Sequence, residues 1–346
     1  MGEALELTAG RLLEPQAHPI GRRTLLVADP ARDRRVLAVE VWYPAATEAP
    51  GRTSYELFPG VSFRSAGAQH EPPARQGRFP LVLFSHGSTG MRFVASLVCE
   101  ALAARGAIVV SADHPGDSLV DWLTGANSDA RTNEIDRVAD AHLVLDTVLQ
   151  GRPEVPVDIA NAVDHERIVL AGHSYGAYTA FATSAGSRGV AAHPHVRAIV
   201  GYQPYTRTMS DSLLGRIDVP TLLVVATADT TTPPETDAER PWALLRGSPT
   251  WRLDVEGAGH QAITDVALYA ELAPQVPGLP AIVRDYLTAT AEGTAMVGSR
   301  SWREVLAVQV EATWAFLQIV LDLDPEAGRA TADRLEDAVG LVLRCR

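Results

Sequence analysis

Three side chains of this 346-residue chain are of the types that together perform nucleophilic acyl transfer: Ser174, Asp229 and His260. A serine hydroxyl is inert until a base removes its proton, and an imidazole base needs a carboxylate to fix its tautomer and stabilise the imidazolium. Ser174 lies in Gly172-His173-Ser174-Tyr175-Gly176, after the apolar run Ile168-Val169-Leu170-Ala171 and before Ala177-Tyr178-Thr179-Ala180-Phe181-Ala182. Strand before and helix after make this a nucleophile elbow, a sharp turn that raises the hydroxyl above the sheet edge. The glycines are needed because a Cβ at either position would strike the neighbouring strand or helix. Asp229 follows the apolar run that ends at Ala226, and His260 lies in a Gly-rich loop after Trp251-Arg252-Leu253-Asp254-Val255. Asp254 is the other candidate acid, but it falls inside that strand stretch and not at its end.

An acyl-transfer serine also needs two backbone donors for the oxyanion. One is the N–H of the residue after the nucleophile, here Tyr175, helped by the positive end of the helix that begins there. The other is expected from the loop after an earlier strand. His86-Gly87-Ser88-Thr89-Gly90 follows the apolar run Leu81-Val82-Leu83-Phe84-Ser85, and the Ser88 main-chain N–H is the candidate. His86 and His173 read as structural neighbours of these loops. His193-Pro194-His195 reads as a surface turn, since no carboxylate or thiol cluster accompanies it, so no metal and no cofactor are expected.

Positioning these groups calls for alternating strands and helices. Residues 24–28 and 36–43, joined by the turn Asp29-Pro30-Ala31-Arg32-Asp33, predict an antiparallel hairpin. Buried strands are expected at 81–85, 107–112, 168–171, 196–201, 220–226 and 251–255, with helices at 92–105 and 135–149 between them. The charges of the second helix, Arg137, Asp140 and Asp146, read as a solvated or salt-bridged edge. This pattern predicts an α/β architecture: a mostly parallel, doubly wound sheet with its site at the carboxyl ends of the strands. Residues 1–20 read as a lead-in, 21–323 as the domain, and 324–346 as a helical extension with a helix at 333–343. Within the domain, 50–78 is rich in Pro, Gly and polar residues and reads as a surface excursion with little regular structure. The 114–132 stretch reads as a pocket loop. Trp122 with Leu123 from that loop, and Tyr202, Gln203 and Tyr205 after a later strand, are the expected substrate-binding side chains. The segment after His260 is expected to pack on the core; walling the pocket or forming a homodimer contact are its alternatives.

Composition narrows the class. Hydrophobic residues make up 46% of the chain, ample for a buried core, and the net charge of −12 argues against nucleic acid or an anionic membrane as partner. All 30 basic side chains are arginine, so a lysine base or Schiff base is excluded. Cys99 and Cys345 give neither a disulfide framework nor a zinc spacing. No secretory leader and no apolar run near the ~20 residues of a membrane span is visible, so a soluble cytoplasmic protein is expected.

With these residues in view, the chain resembles the α/β-hydrolase superfamily, in the branch of predicted dienelactone hydrolases and platelet-activating-factor acetylhydrolase-like serine esterases. The resemblance rests on Val41-Trp42-Tyr43-Pro44, Ser85-His86-Gly87-Ser88, Asp113-His114-Pro115-Gly116-Asp117, the elbow, Asp229 and His260, and spans roughly residues 20–265. Dienelactone hydrolases proper use cysteine where this chain has Ser174, so lactone cleavage is not implied. The acetylhydrolases are similar in placing one oxyanion donor after the His-Gly pair, which supports Ser88. They often carry a further glycine after the elbow, where this chain has Ala177.

The leading expectation is therefore a serine hydrolase of small to medium carboxylic esters acting through an acyl-enzyme. A biosynthetic acyltransferase, thioesterase or cyclase would use the same triad while excluding water. A non-catalytic, hydrolase-like binding protein is the third reading, and an intact triad argues against it.

Overall fold

Unbroken apolar runs are the mark of strands covered on both faces, and here they form the parallel centre of a sheet. The computed structural model describes residues 17–32, 35–58, 61–275, 279–292, 296 and 298–346. Most of the expected lead-in, Asp33 of the expected turn, and residues 276–278 lie outside the described residues. Eleven strands form the sheet: β1 (Ile20–Asp29), β2 (Arg35–Pro44), β3 (Arg52–Phe58), β4 (Val61–His70), β5 (Phe79–Ser85), β6 (Ile108–Ala112), β7 (Val163–His173), β8 (Val196–Tyr202), β9 (Thr221–Ala226), β10 (Thr250–Val255) and β11 (Leu341–Cys345). Their order is β11-β10-β9-β8-β7-β5-β6-β2-β1-β4-β3. From β6 to β10 every neighbour is parallel, while β1 and β2 form the expected antiparallel hairpin.

The helices that bear on the site are α1 (Ser96–Arg105), α2 (Leu119–Thr124), α3 (Ala130–Leu149), α4 (Tyr175–Ala185), α5 (Val266–Leu272), α6 (Ala281–Glu292), α7 (Trp302–Val320) and α8 (Pro325–Glu336). One buried cluster packs α1, α5 and α7 against the sheet; a second packs α3 and α4 against the opposite face. The fold is thus the doubly wound α/β architecture expected.

Three expectations need correction. Residues 52–70 are not an irregular excursion: β3 and β4 pair antiparallel, with Tyr55 opposite Phe63, and extend the sheet beyond β1. What holds this edge hairpin is a distant carboxylate. Glu100 on α1 is buried and accepts bonds from the Tyr55 hydroxyl (2.6 Å), the Ser65 hydroxyl (2.8 Å) and the Gly67 N–H (2.6 Å). Second, residues 333–343 are not one helix. α8 starts earlier, capped by the Asp324 side chain on the Ala327 N–H (3.0 Å), and the chain then pairs β11 antiparallel with β10. Third, of the two readings given for the charges of α3, Arg137 and Asp140 take the salt-bridged one, but fully buried and not at an edge. Asp140 accepts from Arg32 (2.7 Å) and from two Arg35 nitrogens (2.8 Å each), and contacts His114 Nδ1 at 3.0 Å. Burial alone would raise its pKa, but these partners hold the carboxyl well below the usual range.

The segment after His260 is fastened to α1 by Asp265. Ala95, at the start of α1, offers no side-chain cap. Asp265 supplies one from 169 residues away, accepting from the Ser96 N–H (2.9 Å), the Ser96 hydroxyl (2.5 Å) and the Leu97 N–H (3.3 Å). Complete burial, which penalises the charged form, outweighs these donors and raises its pKa from 3.8 to about 7. Between those values the folded protein holds a proton that the unfolded chain lacks, so this contribution to stability is full below the lower value and is lost as pH rises through the upper. We expect the stability of the wild type relative to Asp265→Asn, measured by urea unfolding, to decline from about pH 4 to about pH 7 and to level off above that. A difference that is flat or grows with pH contradicts the assignment.

Candidate active site

Ser174 has φ 54° and ψ −118°, a conformation that costs a non-glycine residue ~1–3 kcal/mol and persists only where neighbours enforce it. Its N–H donates to the Tyr202 carbonyl (3.0 Å), and its own carbonyl accepts from the Tyr205 N–H (3.1 Å). Packing fixes the rest. A Cβ at Gly176 would lie 1.9 Å from the Ser85 carbonyl oxygen at the end of β5, and one at Gly172 would lie 2.2 Å from the Gly176 oxygen. Helix α4 therefore starts in contact with the end of β5, which sets Ser174 beside the loop that follows β5.

His260 comes to the same place from the end of β10. Its Nε2 is 3.0 Å from Ser174 Oγ, and its Nδ1 is 2.7 Å from Asp229 Oδ2. Asp229 also accepts from the Thr231 N–H (2.8 Å), the Thr232 N–H (2.9 Å) and the Thr232 hydroxyl (2.6 Å). Burial would raise the Asp229 pKa, yet the bonds from His260 and Thr232 outweigh it and hold the carboxyl below its ordinary value. His173, buried and pushed down to about 3, is neutral and donates from Nε2 to the His260 carbonyl (2.7 Å), which seats the His260 loop. Asp254 is engaged elsewhere, with Arg252 (2.8 Å) and Arg344 (3.4 Å).

Ser88 and Tyr175 flank Ser174 on the loop after β5 and at the first turn of α4. The Ser88 hydroxyl donates to Asp117 Oδ1 (2.8 Å), which also takes the Thr89 N–H (3.0 Å). Among the described residues the Ser88 N–H has no hydrogen-bond acceptor, and Tyr175 begins a helix whose first N–H groups are open by construction. Thr232, Asp117 and Arg137 carry no sequence signal that marks them as parts of the site. Asp117 stands in a motif-bearing stretch, but its partners are set by tertiary contacts that spacing does not display.

Above Ser174 and His260 lies a cavity of about 360 Å³. Trp122 lines it, together with Leu119 from the same helix and Leu57 from the edge hairpin. Tyr202, Gln203 and Tyr205 do not. The Tyr202 side chain is buried behind the strand, its hydroxyl 2.7 Å from Thr313 Oγ1 on α7, and Gln203 donates to Gln309 there (3.1 Å). Tyr205 packs edge-on to the Tyr175 ring at 5.6 Å. Leu123 likewise joins the core. The segment after His260 packs on the core, as expected, and also takes the wall alternative: Val266, Tyr269, Val283, Tyr286 and Leu287 cover the cavity. Tyr286 meets Trp122 across it, ring centroids 6.3 Å apart. No Asp, Glu or Arg side chain lines the cavity among the described residues, and none of their clusters of His, Cys, Asp and Glu could hold a metal ion. No described helix is long and apolar enough to cross a membrane.

The family model for chlorophyllase matches residues 70–214, which include the loop after β5 and the elbow. The solved ferulic acid esterase of Streptomyces cinnamoneus superposes with a TM-score of 0.64 at 24% identity, covering 87% of this chain and 90% of that one. No curated protein matches the chain. The strand order around the elbow and the superposition show one fold, that of the α/β hydrolases, and over residues 70–214 the chain is similar to the chlorophyllase family.

Proposed function

We propose that the protein hydrolyses small to medium, uncharged carboxylic esters through an acyl-enzyme on Ser174. The observation that carries this reading is the unbroken chain from Ser174 Oγ through the His260 ring to Asp229 Oδ2, opening into an apolar cavity. His260 Nε2 takes the Ser174 proton as Oγ attacks the ester carbonyl, and Asp229 holds the imidazole tautomer and stabilises the imidazolium. The oxyanion is received by the N–H groups of Ser88 and Tyr175. His260 then returns the proton to the departing alcohol, leaving the acyl group on Oγ. Water, deprotonated by His260, attacks in turn, and the carboxylic acid leaves as Oγ recovers its proton.

Charge and volume support the substrate class. A cavity without charged side chains favours neutral groups, and about 360 Å³ stands at the low end of the ~300–1,000 Å³ usual for ligand sites. The apolar cover is supplied by α5 and α6, whereas the 114–132 stretch contributes Leu119 and Trp122 to the wall. Trp122, Tyr269 and Tyr286 would suit an aromatic acyl group, in keeping with the ferulic acid esterase likeness.

We expect Ser174→Ala to fold normally and to lose esterase activity by roughly 10³-fold or more, with no labelling by a fluorophosphonate. Labelling that persists in that variant contradicts the nucleophile assignment. Asp229→Asn should lose most of its turnover, because the amide favours the wrong imidazole tautomer, whereas Asp254→Asn should stay close to wild type. The reverse ranking would move the acid to Asp254. On a p-nitrophenyl ester series, kcat/KM should peak at short to medium acyl groups. A steady rise to long-chain esters with activation at lipid interfaces contradicts the substrate class.

A further inference from the structure

We propose that Arg137 is a positioning residue for the oxyanion hole, gripping the peptide that carries the Ser88 N–H from its opposite side. This rests on the acyl-enzyme reading above. Arg137 rises from α3 and is fully buried. One carboxylate would suffice to neutralise it, and Asp117 does so through Arg137 Nε (2.9 Å). The remaining donors go to the loop after β5: Nη1 and Nη2 each reach the His86 carbonyl at 2.9 Å, and Nη2 reaches the Gly87 carbonyl at 3.0 Å.

The Gly87 carbonyl and the Ser88 N–H belong to one peptide unit. A donor on the oxygen draws electron density from the nitrogen and makes its N–H a stronger donor, by ~10–30% per bond in a hydrogen-bond chain. This oxygen has two donors. The His114 N–H donates to His86 Nε2 (3.3 Å), so the ring proton of neutral His86 is assigned to Nδ1, which then donates to the Gly87 carbonyl (2.7 Å). Asp117, held by Arg137, binds the Ser88 hydroxyl and the Thr89 N–H and so fixes the loop on the far side of the same peptide. The Tyr175 ring lies over the guanidinium, 5.1 Å from its carbon, so the residue carrying the second oxyanion donor rests on the same cation.

The test compares the full-length wild type with Arg137→Met and Arg137→Lys. It measures kcat and KM on p-nitrophenyl butyrate, the inhibition constant of a trifluoromethyl ketone whose adduct bears the oxyanion, and the melting temperature. For Arg137→Met, kcat should fall about 10²-fold, KM should stay within about threefold, and ketone affinity should fall in step with kcat. Arg137→Lys keeps the charge but lacks the planar fork that spans both carbonyls, and should fall between. Unchanged kcat and ketone affinity overturn the proposal, and so does a loss of kcat that leaves ketone affinity untouched. If Arg137→Met does not fold, the same two readouts on Arg137→Lys decide. Fluorophosphonate labelling of wild-type Ser174 separates the two levels. Its absence sinks the acyl-enzyme reading, whereas a labelled wild type with indifferent Arg137 variants sinks only this inference.

Discussion

The contact between Gly176 and the Ser85 carbonyl is the constraint around which the other parts of the site are arranged. With no Cβ in the way, α4 begins against the end of β5, and the strained turn at Ser174 closes beside the loop that follows that strand. Any larger residue would force helix and strand apart, and Ser174, whose Oγ sits 3.0 Å from His260 Nε2, starts that helix. The strain at Ser174 is met by bonds to Tyr202 and Tyr205 at the end of β8, so the turn is clamped from both neighbouring strands. His260 and Asp229 need only arrive from β10 and β9, whose parallel register brings their carboxyl ends to the same level.

Much of this was legible in the sequence, and for a physical reason. Strands buried on both faces are unbroken apolar runs, and a serine between two glycines at the junction of such a run with a helix marks a turn too tight for side chains. The parallel centre, the elbow and the chain order of Ser174, Asp229 and His260 could therefore be read directly. The edge hairpin could not. Its polar and glycine-rich composition matches a loop, and it is held as strand by Glu100, a side chain whose partners lie 32 to 45 residues away. The burial of Asp140 and Arg137, though not their salt-bridging, was hidden for the same reason. A charged residue on a helix reads as surface unless its counter-charges are known, and these come from the β1–β2 turn and from the 113–117 stretch.

The substrate side was legible least of all. Tyr202 and Gln203 follow the pattern of residues at a strand end, but their side chains turn to the α7 face and bond Thr313 and Gln309. The cover comes instead from helices whose sequence carries no catalytic signature, and only their position after His260 places them over the cavity. Pocket walls are built by whichever segments happen to converge, which spacing along the chain does not encode.

The fastening of that cover has a mechanical consequence. His260 and the roof are consecutive in the chain: His260 is followed within five residues by Asp265, which is tied to the first turn of α1. A roof anchored there cannot swing as a rigid flap without pulling on the imidazole, so its near end behaves as part of the frame and freedom is left to the far end around Tyr286. Under the proposed activity, a substrate would enter by side-chain movement at the Trp122–Tyr286 seam, with the His260 ring left in place.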